Sequence, residues 1–249
     1  MNHWQLSRIS IVAFTMVLAF SFTASAAKWS QTTVEFLYGT NYEKRNSFED
    51  DKGMILTLSN ATSWEKGDSY FFLDVGDAED IDGIDGIHLE WGLRLSLLRA
   101  FGKQPLDGFF KDVYFIAQAD IDAGNSFTNK VTPMAGISAD WNVPGFLFFK
   151  THLQYRDDPK VDGDSAQFNI VWNRPFEIGG QKFSFEGFMD YTLKESDSSQ
   201  ENQLLIQPQL LWHATKHIAD GVEYLNLTIR VGLDGVDENV PQIMARWTF

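Results

Sequence analysis

The sequence predicts an all-β fold, a monomeric twelve-stranded antiparallel transmembrane β-barrel with long outer loops and short periplasmic turns. Three observations predict it. The chain reads as runs of roughly ten residues in which apolar and polar side chains alternate, the period of a strand with one oily and one wet face. Aromatics make up 14% of it, with 21 Phe and 8 Trp, yet mean hydropathy is only −0.22, as expected when each strand turns half its residues to lipid. The chain also lacks cysteine and finishes on an oily-faced run with a terminal phenylalanine, Pro241 to Phe249.

The amino terminus reads as an export signal. Met1 to Arg8 carries one basic side chain, Ile9 to Phe22 is apolar except for Ser10, Thr15 and Ser21, and Ala24-Ser25-Ala26 supplies the small residues of a cleavage point. Residues 1–26 are therefore the expected signal peptide and 27–249 a single outer-membrane barrel. The apolar run falls short of the about 20 residues that a helical span needs. Without cysteine, neither a disulfide framework nor a thiolate metal site is available. A formal net charge of −14 argues against nucleic acid as a partner, because phosphate binding needs a basic face.

Twelve segments follow in order. Val34 to Tyr38 sets Glu35 on the polar parity; Met54 to Ala61 and Ser69 to Val75 come next, the latter with Tyr70, Phe72 and Asp74 on that parity. Ile87 to Ser96 alternates Ile87, Leu89, Trp91, Leu93 and Leu95 with His88, Glu90, Gly92, Arg94 and Ser96, an order that a 3.6-residue period would smear over every face. Asp112 to Asp120, Val131 to Trp141, Phe146 to Arg156, Ala166 to Asn173, Phe183 to Tyr191, Gln203 to His213 and Val222 to Val231 repeat the pattern. The closing strand turns Ile243, Ala245, Trp247 and Phe249 outward and Gln242, Met244, Arg246 and Thr248 inward. It must pair with the first, since an open edge is not tolerated in hydrocarbon. Phe249 is read as the signal for the outer-membrane insertion machinery, with Trp247 beside it in the periplasmic aromatic girdle.

With both termini in the periplasm, the odd connections face outward. They include "NYEKRNSFEDDK", "GDAEDIDGIDG", "RDDPKVDGD", "KESDSSQE" and "DGVDEN", long and acid-rich, as suits a surface facing lipopolysaccharide. The even connections, such as "NVPGF" and "RPFEIGGQ", are mostly shorter and place Pro and Gly as tight turns require. Asp77 to Asp85 is acidic but does not carry the ligand spacing of a calcium loop.

Several stretches, "SWEKGDSYFFLDV", "GISADWNVPGF", "RPFEIGGQKFSFEGFMDY", "QPQLLW" and "PQIMARWTF", occur in the order found in the Tsx-like nucleoside-specific outer-membrane channels, including the OmpK branch, which this chain resembles. The resemblance runs across residues 27–249. It implies a monomeric pore without a cofactor, passive uptake of nucleosides or similar small solutes, and surface loops used as a phage or colicin receptor.

The polar parities describe a lumen independently of that resemblance. They turn Glu35, Asp74, Glu90, Asp112, Asp120, Asp140, Glu186 and Asp190 inward with Arg94, Lys150, Arg156, Arg230 and Arg246. This mixed field lacks the rings of one sign that an anion channel carries. Tyr70, Phe72, Tyr114, Phe148, Phe188 and Tyr224 are interleaved, so a planar base could stack on a ring while neighbouring polar groups bond its edge and the ribose. Tyr114 and Phe188 are the first candidates, bracketed by Asp112 and by Glu186 and Asp190. The same rings could simply fill a narrow barrel. Glu35 and Arg246 fall at similar heights, where an ion pair would close the seam. A non-specific narrow porin or a surface receptor is the alternative. A lipolytic enzyme needs a serine within reach of an imidazole, and His88, His152 and His213 show no nearby serine on their own face.

Overall fold

The computed structural model describes residues 27–42, 51–76, 86–124, 129–161, 163–194, 202–231 and 234–249, without the side chains of 227–238. The expected signal peptide and the acidic stretch 77–85 lie outside the described residues. Among the described residues twelve strands form one closed antiparallel barrel. They are β1 (Trp29–Thr40), β2 (Lys52–Trp64), β3 (Gly67–Gly76), β4 (Gly86–Ser96), β5 (Phe110–Gly124), β6 (Lys130–Trp141), β7 (Phe148–Arg156), β8 (Ser165–Ile178), β9 (Gln181–Thr192), β10 (Gln203–His213), β11 (Ile218–Val231) and β12 (Asp234–Thr248). Each pairs with its chain neighbours, and β1 closes on β12 from Thr33↔Thr248 to Gly39↔Gln242.

Lipid-facing positions line up across the sheet. Leu95, Phe115, Ile137, Leu153, Phe168 and Tyr191 are successive cross-strand partners from β4 to β9, and all are exposed. Six large apolar side chains in one row, with Ile137 60% and Leu153 61% exposed, would be untenable in water and suit hydrocarbon. On β12 Ile243, Trp247 and Phe249 are likewise exposed, whereas Gln242 and Met244 are buried.

Two expectations change. "DGVDEN" is not an open loop, because β11 and β12 stay paired as far as Val231↔Asp234; the hairpin ladder continues beyond the apolar band. The even connections are tight at Gly179-Gly180, where φ values of 58° and 78° form a two-residue turn between Ile178 and Gln181. The β4–β5 connection, residues 97–109, is instead long and begins with a short helix, α1 (Leu97–Ala100), capped by Ser96.

The interior is two-sided. Leu37, Ile55, Leu211, Leu225, Val240 and Met244 form an apolar inner cluster on β1, β2 and β10–β12. Polar groups crowd the wall from β3 to β9.

Candidate functional site in the barrel lumen

Register sets the polar wall. Arg246, Glu35, Thr57, Asp74, His88, Asp122 and Lys130 are successive cross-strand partners from β12 through β1 to β6, an inward row that winds half-way round the barrel. Neighbours in the row satisfy one another. Arg246 Nε lies 2.7 Å from Glu35 Oε1, and Thr57 Oγ1 donates to Asp74 over 2.5 Å. His88 Nδ1 lies 2.6 Å from Asp122 Oδ1 and its Nε2 3.2 Å from Glu90. Arg246 also donates to Glu186 of β9 and, over 2.7 Å, to Gln209 Oε1 of β10. The guanidinium therefore ties the seam to the wall beyond it.

A second network sits nearer the periplasmic end. Arg94 is buried and donates to Asp68 over 2.8 and 2.5 Å, to Asp140 over 2.6 Å and to Ser138 over 2.9 Å. Its guanidinium carbon lies 4.2 Å above the Tyr114 ring, and the Tyr114 hydroxyl donates to Asp140 over 3.1 Å. Tyr114 is only 3% exposed, so its face is occupied by Arg94. Lys150 covers Phe148 at 5.2 Å in the same way.

Aromatic groups meet at a different level. Phe72 on β3 and Phe188 on β9, strands six apart in the ring of twelve, bring their centroids to 6.3 Å across the lumen. Tyr70 and His88 flank Phe72 at 6.1 and 5.8 Å. Glu90 is the cross-strand partner of Phe72 and of Asp120, and Gln118 donates to both carboxylates over 3.2 and 3.1 Å. Asn169 donates to Asp190, two residues beyond Phe188 on the same face. The lumen is thus pinched by an aromatic pair with carboxylates on both sides.

The backbone at Phe188 explains its reach. Gly187 adopts φ 148°, and a Cβ there would come within 2.2 Å of Gln207 O, so only glycine lets β9 lie this close to β10. Opposite it, Pro208 has no N–H for the ladder, and β10–β11 pairing skips from Ile206↔Asn226 to Gln209↔Glu223.

The sequence-derived candidates sort accordingly. Tyr70, Phe72, Phe188, Glu90, Asp120 and Asp190 converge around the pinch; Glu35 belongs to the seam network, and Arg94, Tyr114 and Phe148 to the periplasmic one. The Arg230 side chain lies outside the described residues. Tyr224 is corrected: it is 44% exposed on the parity of Val222, while Glu223 and Leu225 are buried inward. The ladder decides this, since Glu223 accepts from Gln209 and Gln242 over 2.5 and 2.7 Å.

Inward groups missed by pattern reading are Asp68, Asp122, Lys130 and Glu223. The first three lie one or two positions beyond the segments that the sequence pattern marks, and the alternation extended to the strand ends reaches them. The expectation that no serine shares a histidine's face is also corrected, since Ser184 Oγ of β9 lies 2.9 Å from His213 Nε2 of β10. Ser184 is buried, and among the described residues no carboxylate or amide is hydrogen-bonded to the other nitrogen of His213.

At the outer mouth, Lys130 Nζ donates to Asp158 Oδ2 over 2.7 Å and anchors the β7–β8 connection. Burial alone would raise the Asp158 carboxyl, but the hydrogen bonds from Lys130 and the Lys160 N–H outweigh it and hold it below the usual carboxylate range. A recess of about 540 Å³ lies on the outer face over β9–β12 and β1, between Phe185, Pro208, Tyr224 and Ile243.

The profile of the family described as "Nucleoside-specific channel-forming protein, Tsx" matches residues 28–228. The chain belongs to this family. A Tsx-family chain with a closed twelve-stranded barrel and an apolar outer belt is an outer-membrane channel for small solutes. Among solved structures it is similar to the NanC porin in its rhombohedral crystal form, with 12% identity and a TM-score of 0.56, over 87% of this chain and 98% of that one. That likeness is one of fold. The KdgM porin aligns at 11% identity and a TM-score of 0.48, over 87% of this chain and 99% of that one. No curated protein matches the chain.

Proposed function

We propose that this Tsx-family barrel conducts nucleosides, or solutes of similar size with a planar ring and a polar sugar, by passive uptake through the Phe72–Phe188 pinch. The observation that supports it most is the aromatic pair across the lumen bracketed by Glu90, Asp120, Asp190 and Glu186. Two stacking contacts of about 3.5 Å need roughly 7 Å, so a small rotation of either ring from its present 6.3 Å admits a base. The carboxylates then accept hydrogen bonds from ribose hydroxyls. Such a site concentrates solute without trapping it, because each stack contributes only about 1–3 kcal/mol.

Single-channel conductance with a nucleoside panel tests this. Phe72→Ala and Phe188→Ala are each expected to raise the half-saturation concentration for nucleoside block about tenfold, the equivalent of roughly 1.4 kcal/mol, while leaving small-ion conductance equal or higher. Tyr114→Ala serves as contrast, since its ring faces Arg94 rather than the open lumen. Unchanged nucleoside block in the Phe72→Ala/Phe188→Ala double variant would sink the proposal in favour of a non-specific narrow porin.

The carboxy terminus supports a second role. Phe249 stacks on Trp247 at 6.0 Å on the outer face, and its N–H donates to Thr32 O over 2.9 Å, so the last residue is presented at the seam. We infer that it is the element read during membrane insertion. Deleting Phe249 should lower the amount of heat-modifiable barrel in the outer membrane, and a normal amount would remove the inference.

A further inference from the structure

We propose that the β4–β5 connection, residues 97–109, is an interfacial foot that binds the head groups of anionic phospholipids in the periplasmic leaflet. It lies at the end of the barrel that carries the start of β1, the end of β12 and the tight turns. Its shape is set by hydrogen bonds. Arg99 N–H donates to Ser96 Oγ over 3.1 Å, Lys103 N–H to Leu98 O over 2.9 Å and Leu106 N–H to Lys111 O over 2.8 Å. From the β6–β7 turn, the Asn142 side-chain amide donates to Gly108 O over 2.6 Å and its N–H to Phe109 O over 2.8 Å.

This ordered frame displays Phe101 at 80%, Leu106 at 49% and Phe109 at 65% exposure. Holding three large apolar side chains in water has a cost that a fixed loop does not accept without a partner surface.

Two observations choose the partner. The first is continuity with the membrane belt: Phe109 and Phe110 each pack on the outward-facing Trp141 at 5.5 Å, and Trp141 Nε1 donates to Thr151 on the same outer face. Aromatic groups at this level mark the interface between hydrocarbon and water. The second is charge. The connections at this end, with the residue that precedes β1, carry Lys28, Lys66, Arg99, Lys103 and Lys216 against Glu65 and Asp107, with Asp112 of β5 lying 3.8 Å from Arg99, in a chain of net charge −14 whose opposite end is acid-rich. A cationic rim over an apolar foot matches an anionic leaflet surface, with the basic stems lying along the lipid and their heads in the phosphate layer.

The absence of cysteine makes the test clean. The full barrel carrying a nitroxide at Gln104→Cys, or at Lys160→Cys in the β7–β8 connection at the opposite end as control, is reconstituted in phosphatidylcholine vesicles with and without phosphatidylglycerol. The nitroxide at position 104 is expected to be shielded from a water-soluble relaxing agent and accessible to oxygen, unlike the control. Spin-labelled phosphatidylglycerol is expected to be enriched around the barrel over phosphatidylcholine, and Lys103→Gln and Lys66→Gln should each lower that enrichment about fivefold. Both variants lie outside the barrel wall, so heat-modifiable migration should be unchanged and reports folding separately. A nitroxide fully accessible to water in every vesicle overturns the foot and points to a soluble periplasmic protein as the partner. Enrichment that is absent, or indifferent to the lysines, overturns the head-group assignment.

Discussion

Replacing Arg246 by methionine is expected to destabilise the barrel by about 3–5 kcal/mol. The guanidinium is the shared partner of Glu35, Glu186 and Gln209, and both acids are shielded inside the barrel. Without it, two carboxylates keep their desolvation cost and lose their counter-charge. The loss also falls on the closing seam, because Glu35 and Arg246 are direct partners across β1 and β12. Arg246→Lys should recover only part, since a single ammonium cannot hold the fork that reaches three strands. Combining Arg246→Met with Glu35→Gln and Glu186→Gln should recover more, by removing the stranded charges. Urea unfolding followed by tryptophan fluorescence in detergent micelles measures each step. An Arg246→Met midpoint equal to the parent's would mean that the lumen is wet enough for water to replace the pair.

Leu153→Arg should cost about 2–4 kcal/mol in bilayer, whereas Gln154→Leu, one residue on, should cost less. Leu153 lies mid-row in the lipid belt between Ile137 and Phe168, and its neighbour Gln154 points inward and is buried against the wall. Cross-strand from Leu153 a charge meets only Ile137 and Phe168, and it must draw water or head groups into the hydrocarbon. Folding titrations in vesicles against urea compare the two. Equal midpoints would place the outer row outside the hydrocarbon and contradict the orientation of β7.

Much of the candidate site was legible residue by residue. Parity alone placed Tyr70, Phe72, Glu90, Asp120, Phe188 and Asp190 inside, and the equal heights of Glu35 and Arg246 anticipated their ion pair. Tyr224 failed because both parities of β11 carry polar groups, and pattern reading gave no reason to prefer Glu223. Tyr114 illustrates a different limit. Its inward parity was correct, yet the ring is spent on Arg94, a partner one strand away whose height depends on register.

The sequence by itself determined the strands, their number and, for every strand except β11, the face turned to lipid. Hydrocarbon accepts no charge and no open edge, so the outer face must be written as an unbroken alternation that a single chain displays. Only the tertiary structure decided which inward groups meet. Strand tilt displaces each register against the next, so side chains distant along the chain and on opposite walls, such as Phe72 and Phe188, reach one level while near neighbours in sequence do not. The lumen tolerates polar, charged and apolar side chains alike, and its composition therefore leaves the contacts open until closure of the barrel brings the two walls together.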